Sequence, residues 1–126
     1  MKHKTEELKG VILDAAVASA KGLPFRLVRF GSAMDHNQVE RCVIDGLEAL
    51  FEPSSRWEQG GPIIEREQIS LAFTDMEGMI GDQVGVGPRW FAGCPRMRRS
   101  SIEGDTPLVA AMRSFVAAIF GDEVDL

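Results

Sequence analysis

The run from Leu108 to Phe120 constrains this chain most: 13 residues in which Arg113 is the only charge, entered through Thr106-Pro107 and left at Gly121. A threonine side chain accepts from the first free amides of a helix, proline fits the first helical position and glycine takes the left-handed exit. The spacing therefore predicts a helix over 107–120. Its core stripe is Leu108, Met112, Phe115, Val116 and Ile119, flanked by Val109 and Phe120. The reverse face is Ala110, Ser114, Ala117 and Ala118, small instead of charged, so the helix is expected to be covered on two sides, by a sheet and by another helix or a second copy of the chain. Thirteen residues fall well short of the roughly 20 needed to cross a bilayer, and no membrane partner is expected.

Around this helix stand 126 residues, 44% of them hydrophobic and 26% charged. That is the composition of one globular domain, residues 1–126, which can bury a core without metal or disulfide staples. Cys42 and Cys94 lie far apart with no CxxC spacing, the pattern of two reduced thiols. Met1 to Glu7 is charged and lacks the apolar core of a secretory signal, so the expected location is the cytoplasm. The formal charge is 14 − 19 = −5, unevenly placed. All four lysines lie in the first 21 residues, Arg89 to Arg99 holds four arginines and no acid, and residues 122–126 carry three acids.

A first helix is predicted over Glu6 to Lys21, with Thr5 as its cap, Leu8, Val11, Ile12, Ala15, Ala16 and Ser19 on one face, and Gly22 with Pro24 as its stop. Gly10 weakens its first turns by up to about 1 kcal/mol relative to alanine. Phe25 to Phe30 reads as a strand. Val39 to Phe51 has a helical period, with Asp35 and Gln38 as a capping box, but Asp45-Gly46 between apolar runs is a hairpin signal, and a hairpin over Arg41 to Ile44 and Leu47 to Phe51 is preferred. A short helix is expected from Pro62 to Glu67 with Ile63 and Ile64 inward, then a strand with Ile69, Leu71 and Phe73 inward, a glycine-rich connection from Gly78 to Pro88, and a return strand from Arg89 to Cys94. The fold class is α+β: a small, mainly antiparallel sheet of three to five strands packed by an amino-terminal helix, a short central helix and a carboxy-terminal helix.

The segment Phe51-Glu52-Pro53-Ser54-Ser55-Arg56-Trp57-Glu58-Gln59-Gly60-Gly61-Pro62-Ile63-Ile64-Glu65, followed by Ile69-Ser70-Leu71, resembles the central motif of small bacteriophage and prophage proteins of the NinX type. Thr106 to Val116 is similar to the closing helix of that family, Arg89-Trp90-Phe91-Ala92 to its W-x-A strand, and Thr5 to Gly22 to its beginning. The resemblance implies an α-β-α sandwich. It implies no definite activity and supplies no catalytic residues. The glycine-rich loop and the cluster Arg96, Arg98, Arg99 depart from the family pattern.

The residues themselves carry no catalytic set and call for no metal or cofactor. His3 lies in an amino terminus expected to fray and His36 in a polar turn, neither with a triad partner or a set of converging ligands. Cys94, next to Pro95 and near arginines, reads as a buried structural cysteine before a reactive one. The glycines from Gly81 to Gly87 lack the Lys-Ser/Thr ending of a phosphate loop. Glu65 and Glu67 would diverge on a helix, which favours an ion pair over a carboxylate pair. Trp57, Gln59, Gly60 and Gly61 could line a groove with Glu65, Arg66 and Trp90, against the plainer reading that Trp57 packs over its turn. Arg89, Arg96, Arg98 and Arg99 could hold phosphate, against the plainer reading of a solvated loop paired with the acidic tail. The leading expectation is a phage accessory protein, non-enzymatic, that binds a partner protein or a second copy of itself. A nucleic-acid factor using the arginine loop, disfavoured by the net charge, and a small enzyme using Trp57 to Glu67 are the alternatives.

Overall fold

In the computed structural model, residues 1–31, 38–74 and 89–126 are described, with the backbone of 79–80 and 83–84. The carboxy-terminal helix forms where its end signals place it, as α3 (Pro107–Phe120). Thr106 Oγ1 accepts from the Val109 amide at 3.1 Å, and Gly121 leaves at φ +83°. Leu108, Ala110, Ala111, Met112, Ser114, Phe115, Val116 and Ala117 are all buried. Helix α1 (Gly10–Ala20) is enclosed as thoroughly, with Leu13, Asp14, Ala15, Ala16, Val17 and Ala18 buried in succession.

Two helices without a charged face need cover all round, and this sets the layering. Helices α1 and α3 pack on each other at the centre. Strands β2 (Phe25–Phe30), β3 (Val39–Ile44) and β4 (Ala49–Leu50) form a sheet against α1. Strands β5 (Ser70–Thr74), β8 (Arg89–Gly93) and β9 (Ile102–Gly104) form a second sheet against α3, which also carries α2 (Trp57–Arg66). Two short ribbons pair β1 (Lys2–Lys4) with β10 (Glu123–Asp125), and β6 (Met79–Ile80) with β7 (Gln83–Val84). Every strand pairing among the described residues is antiparallel. The α+β class is the expected one. The strands, however, are divided among small sheets, and helices instead of a single sheet fill the middle layer. Cys42 and Cys94 are free thiols in the interior.

Several local expectations are corrected. The first helix starts at Gly10, not Glu6. Residues Thr5–Glu7 form a separate 3-10 turn, and Gly10 opens α1 at φ +57°, a conformation glycine adopts without steric cost. Thr5 is therefore no cap: it is buried, and its hydroxyl donates to the Gly121 carbonyl at 2.7 Å. His3 sits in β1, paired with Val124, instead of in a frayed end. The hairpin between β3 and β4 exists, but its connection is four residues, Asp45 to Glu48, because Ile44 pairs with Ala49. Helix α2 begins at Trp57, five residues before Pro62, and Pro62 sits inside it. Proline has no amide for the Glu58 carbonyl, a vacancy tolerated because Glu58 is exposed. Phe73 is 52% exposed despite the period-two pattern that buries Ile69, and Ile119 and Phe120 are each 41% exposed at the end of α3. His36, Asp35 of the capping box, and the glycines from Gly81 to Gly87 lie outside the described residues.

Candidate functional site

The segment from Leu50 to Gly60 joins the β2-β3-β4 sheet to α2, and its residues are tied down one after another. Phe51 packs against both hydrophobic clusters, and its amide donates to the Cys42 carbonyl at 2.9 Å. The Glu52 carboxylate accepts from Arg41 Nη2 at 2.7 Å and from Arg56 Nε at 3.1 Å, and the Arg41 guanidinium lies 5.8 Å from the centre of the Phe30 ring. Gln59 reaches back along the chain. Its Nε2 donates to the Leu50 carbonyl at 2.9 Å, and its Oε1 accepts from the Glu52 amide. Gly60 is required here, since a Cβ would stand 2.5 Å from the Pro53 carbonyl oxygen and 2.6 Å from Leu108 Cδ2.

The same segment is pinned to the core through a buried acid. The Ser54 amide donates to Asp14 Oδ1 at 2.9 Å, and both residues are buried. Burial pushes the Asp14 carboxyl up to about 6, against the lowering effect of the Ser54 hydrogen bond. The Cys42 thiol is pushed up to about 11, by burial first and then by the nearby charges of Asp14 and Glu52. Trp57 is the exception. It stands at the first position of α2 with 53% of its surface exposed, the one large apolar side chain of this segment that faces solvent.

The other candidate residues are dispersed. Gly61 borders open space, and Glu65 is exposed on α2. Trp90 belongs to the other three-stranded sheet, where it faces Phe73 with ring centres 5.1 Å apart. Arg66 lines a small cavity with Lys21 and Phe115. The arginine-rich stretch is largely neutralised: Arg89 pairs with Asp105 at 2.7 Å, Arg96 with Glu67 at 3.8 Å and Arg99 with Glu6 at 2.9 Å, while Arg98 is exposed. The expected pairing with the acidic tail is thus corrected. Asp125 instead binds the terminal amino group at 2.8 Å, because the β1–β10 ribbon places the two chain ends side by side. Burial pushes the Cys94 thiol up, outweighing the opposing pull of Arg96. Among the described residues no group of three or more His, Cys, Asp or Glu side chains is placed to hold a metal, and no helix is long and apolar enough to cross a membrane.

From residue 4 to residue 118 the chain matches the family model described as Bacteriophage P22, NinX. The chain belongs to the NinX family. The match runs from β1 almost to the end of α3, so the Glu52–Gln59 clamp and Trp57 fall within the NinX region. A comparison with curated proteins gives no match. Asp14, Arg41 and Glu52 were not evident as clamp residues in the sequence. The available signal was Asp14 itself, a lone carboxylate in the apolar stretch Val11 to Ala18.

Proposed function

We propose that this NinX-family protein is a phage accessory factor that works in the cytoplasm of the infected cell by binding a partner protein, with Trp57 as an anchor. The supporting observation is the exposure of Trp57 on a segment that is otherwise fixed by hydrogen bonds and ion pairs. Tryptophan and arginine dominate binding hot spots, and an anchor held on a rigid mount loses little conformational freedom when it is buried. Arg56 adjoins Trp57 and Arg41 continues the network toward Phe30, which is 43% exposed, so the surroundings have the aromatic and arginine character of such a patch.

The alternatives have less support. Three of the four arginines between Arg89 and Arg99 already lie against carboxylates, and the net charge of −5 opposes a polyanion. Glu65 is exposed and Glu67 is engaged by Arg96, so the pair offers no shared site for acid–base work. The test is affinity capture from phage-infected cells with the wild-type chain and with Trp57→Ala. Retention of a discrete protein, or of a second copy of the chain, by the wild type and its loss with the variant is the expected outcome. Equal retention by both removes Trp57 from the account.

A further inference from the structure

The three helices end close to one another. Helix α1 stops at Ala20 before the Lys21-Gly22 turn, α2 stops at Arg66 before Glu67, and α3 runs on to Phe120. Between these ends lies a cavity of about 160 Å³ lined by Ala20, Lys21, Ile63, Arg66, Glu67, Phe115 and Ile119. Ile63 and Phe115 are buried and form an apolar floor, while Ile119 stands 41% exposed at the lip. An apolar cavity of about 150 Å³ accommodates a benzene ring, so this one has room for a single leucine or phenylalanine side chain. Glu67 is paired with Arg96 at 3.8 Å, whereas Lys21 and Arg66 make no ion pair among the described residues. A cation in the last turn of a helix is favoured by the helix dipole and needs no ligand on that account. Lys21 at the C-cap of α1 and Arg66 in the last turn of α2 stand at one opening with an apolar floor, on a chain of net charge −5.

We propose that this cavity receives an acidic, apolar segment of the partner protein: one apolar side chain enters between Ile63, Phe115 and Ile119, and a neighbouring carboxylate meets Lys21 and Arg66. The carboxylate is selected by charge complementarity, since guanidinium and carboxylate form a charge-assisted pair and the remainder of an acidic surface repels an acid. This proposal rests on the partner-binding reading and adds a second, separate contact to that of Trp57.

The experiment titrates the isotope-labelled full chain with an acetylated, amidated pentapeptide of sequence ELEFE, and in parallel with KLKFK, following backbone amide resonances. Saturable shifts at Ala20, Lys21, Arg66, Glu67 and Ile119 with the acidic peptide alone are expected. Loss of the charge-assisted contacts in Lys21→Glu/Arg66→Glu should weaken binding by about tenfold or more, while Arg98→Glu, which alters an exposed cation elsewhere, should leave it unchanged. Equal response to both peptides, shifts confined to other regions, absence of saturation, or undiminished affinity in the double variant would each overturn the proposal. Capture that depends on Trp57 with no peptide binding defeats only this inference. Peptide binding without any captured protein defeats only the reading on which it rests.

Discussion

Asp14 is the residue on which stability and site are joined. It is a carboxylate in the apolar interior whose hydrogen-bond partner is the Ser54 amide, the residue three positions before Trp57. Its carboxyl is raised from 3.8 to about 6 in the folded state, so the folded chain holds this proton more tightly than the unfolded one. The stability it contributes is complete below about pH 4 and is lost as pH rises through 6, a span worth about 3 kcal/mol. Asn in its place keeps an acceptor for Ser54 and cannot ionise. The stability gap between Asp14→Asn and the wild type is therefore expected to shift by about 2 kcal/mol in favour of the variant between pH 4 and pH 7, measured by urea unfolding at each pH. A gap independent of pH would show that Asp14 is not held as described. Trp57 behaves oppositely: with half its surface in water, Trp57→Ala should change stability by no more than about 0.5 kcal/mol in the same assay.

Helix α2 carries two adjacent glycines with opposite surroundings. At Gly60 a methyl group meets the Pro53 carbonyl and Leu108, so Gly60→Ala should cost about 1–3 kcal/mol by forcing α2 away from α3. At Gly61 nothing lies within 4 Å, and Gly61→Ala should gain up to about 1 kcal/mol from helix propensity. Thermal unfolding of both variants should move in opposite directions. The contrast also shows which features a sequence exposes. Both ends of α3 were legible, because a threonine cap, a first-position proline and an exit glycine act within a few residues, and Thr106→Ala should cost about 1 kcal/mol. The start of α2 was not, because Arg56 at its cap makes no side-chain cap bond and the helix is anchored instead through Gln59, Glu52 and Arg41, contacts between distant parts of the chain. The exposure of Phe73 has a related cause. Alternation gives the face of a strand, but not how far the helix behind it reaches.

For the molecule as a whole, the strand and helix content and the NinX resemblance were readable from residues, while the layer order was not. It depends on α1 and α3 each lacking a charged face and so burying each other between two sheets. Net charge needed the same correction by position. The arginine segment that invited a nucleic-acid reading is mostly neutralised by Glu6, Glu67 and Asp105, while Lys21 and Arg66 flank a cavity with an apolar floor. Trp57, within the family match, is exposed on a segment held by hydrogen bonds and ion pairs. The proposed function requires that Trp57 be buried by a partner during infection. The most direct measurement places the photo-cross-linking residue p-benzoylphenylalanine at position 57 and, separately, at position 47, where Leu47 is 75% exposed on the β3–β4 turn, and irradiates phage-infected cells. A discrete cross-linked product from position 57 and none from position 47 is predicted; cross-linking that is absent at 57, or no stronger there than at 47, would contradict the claim.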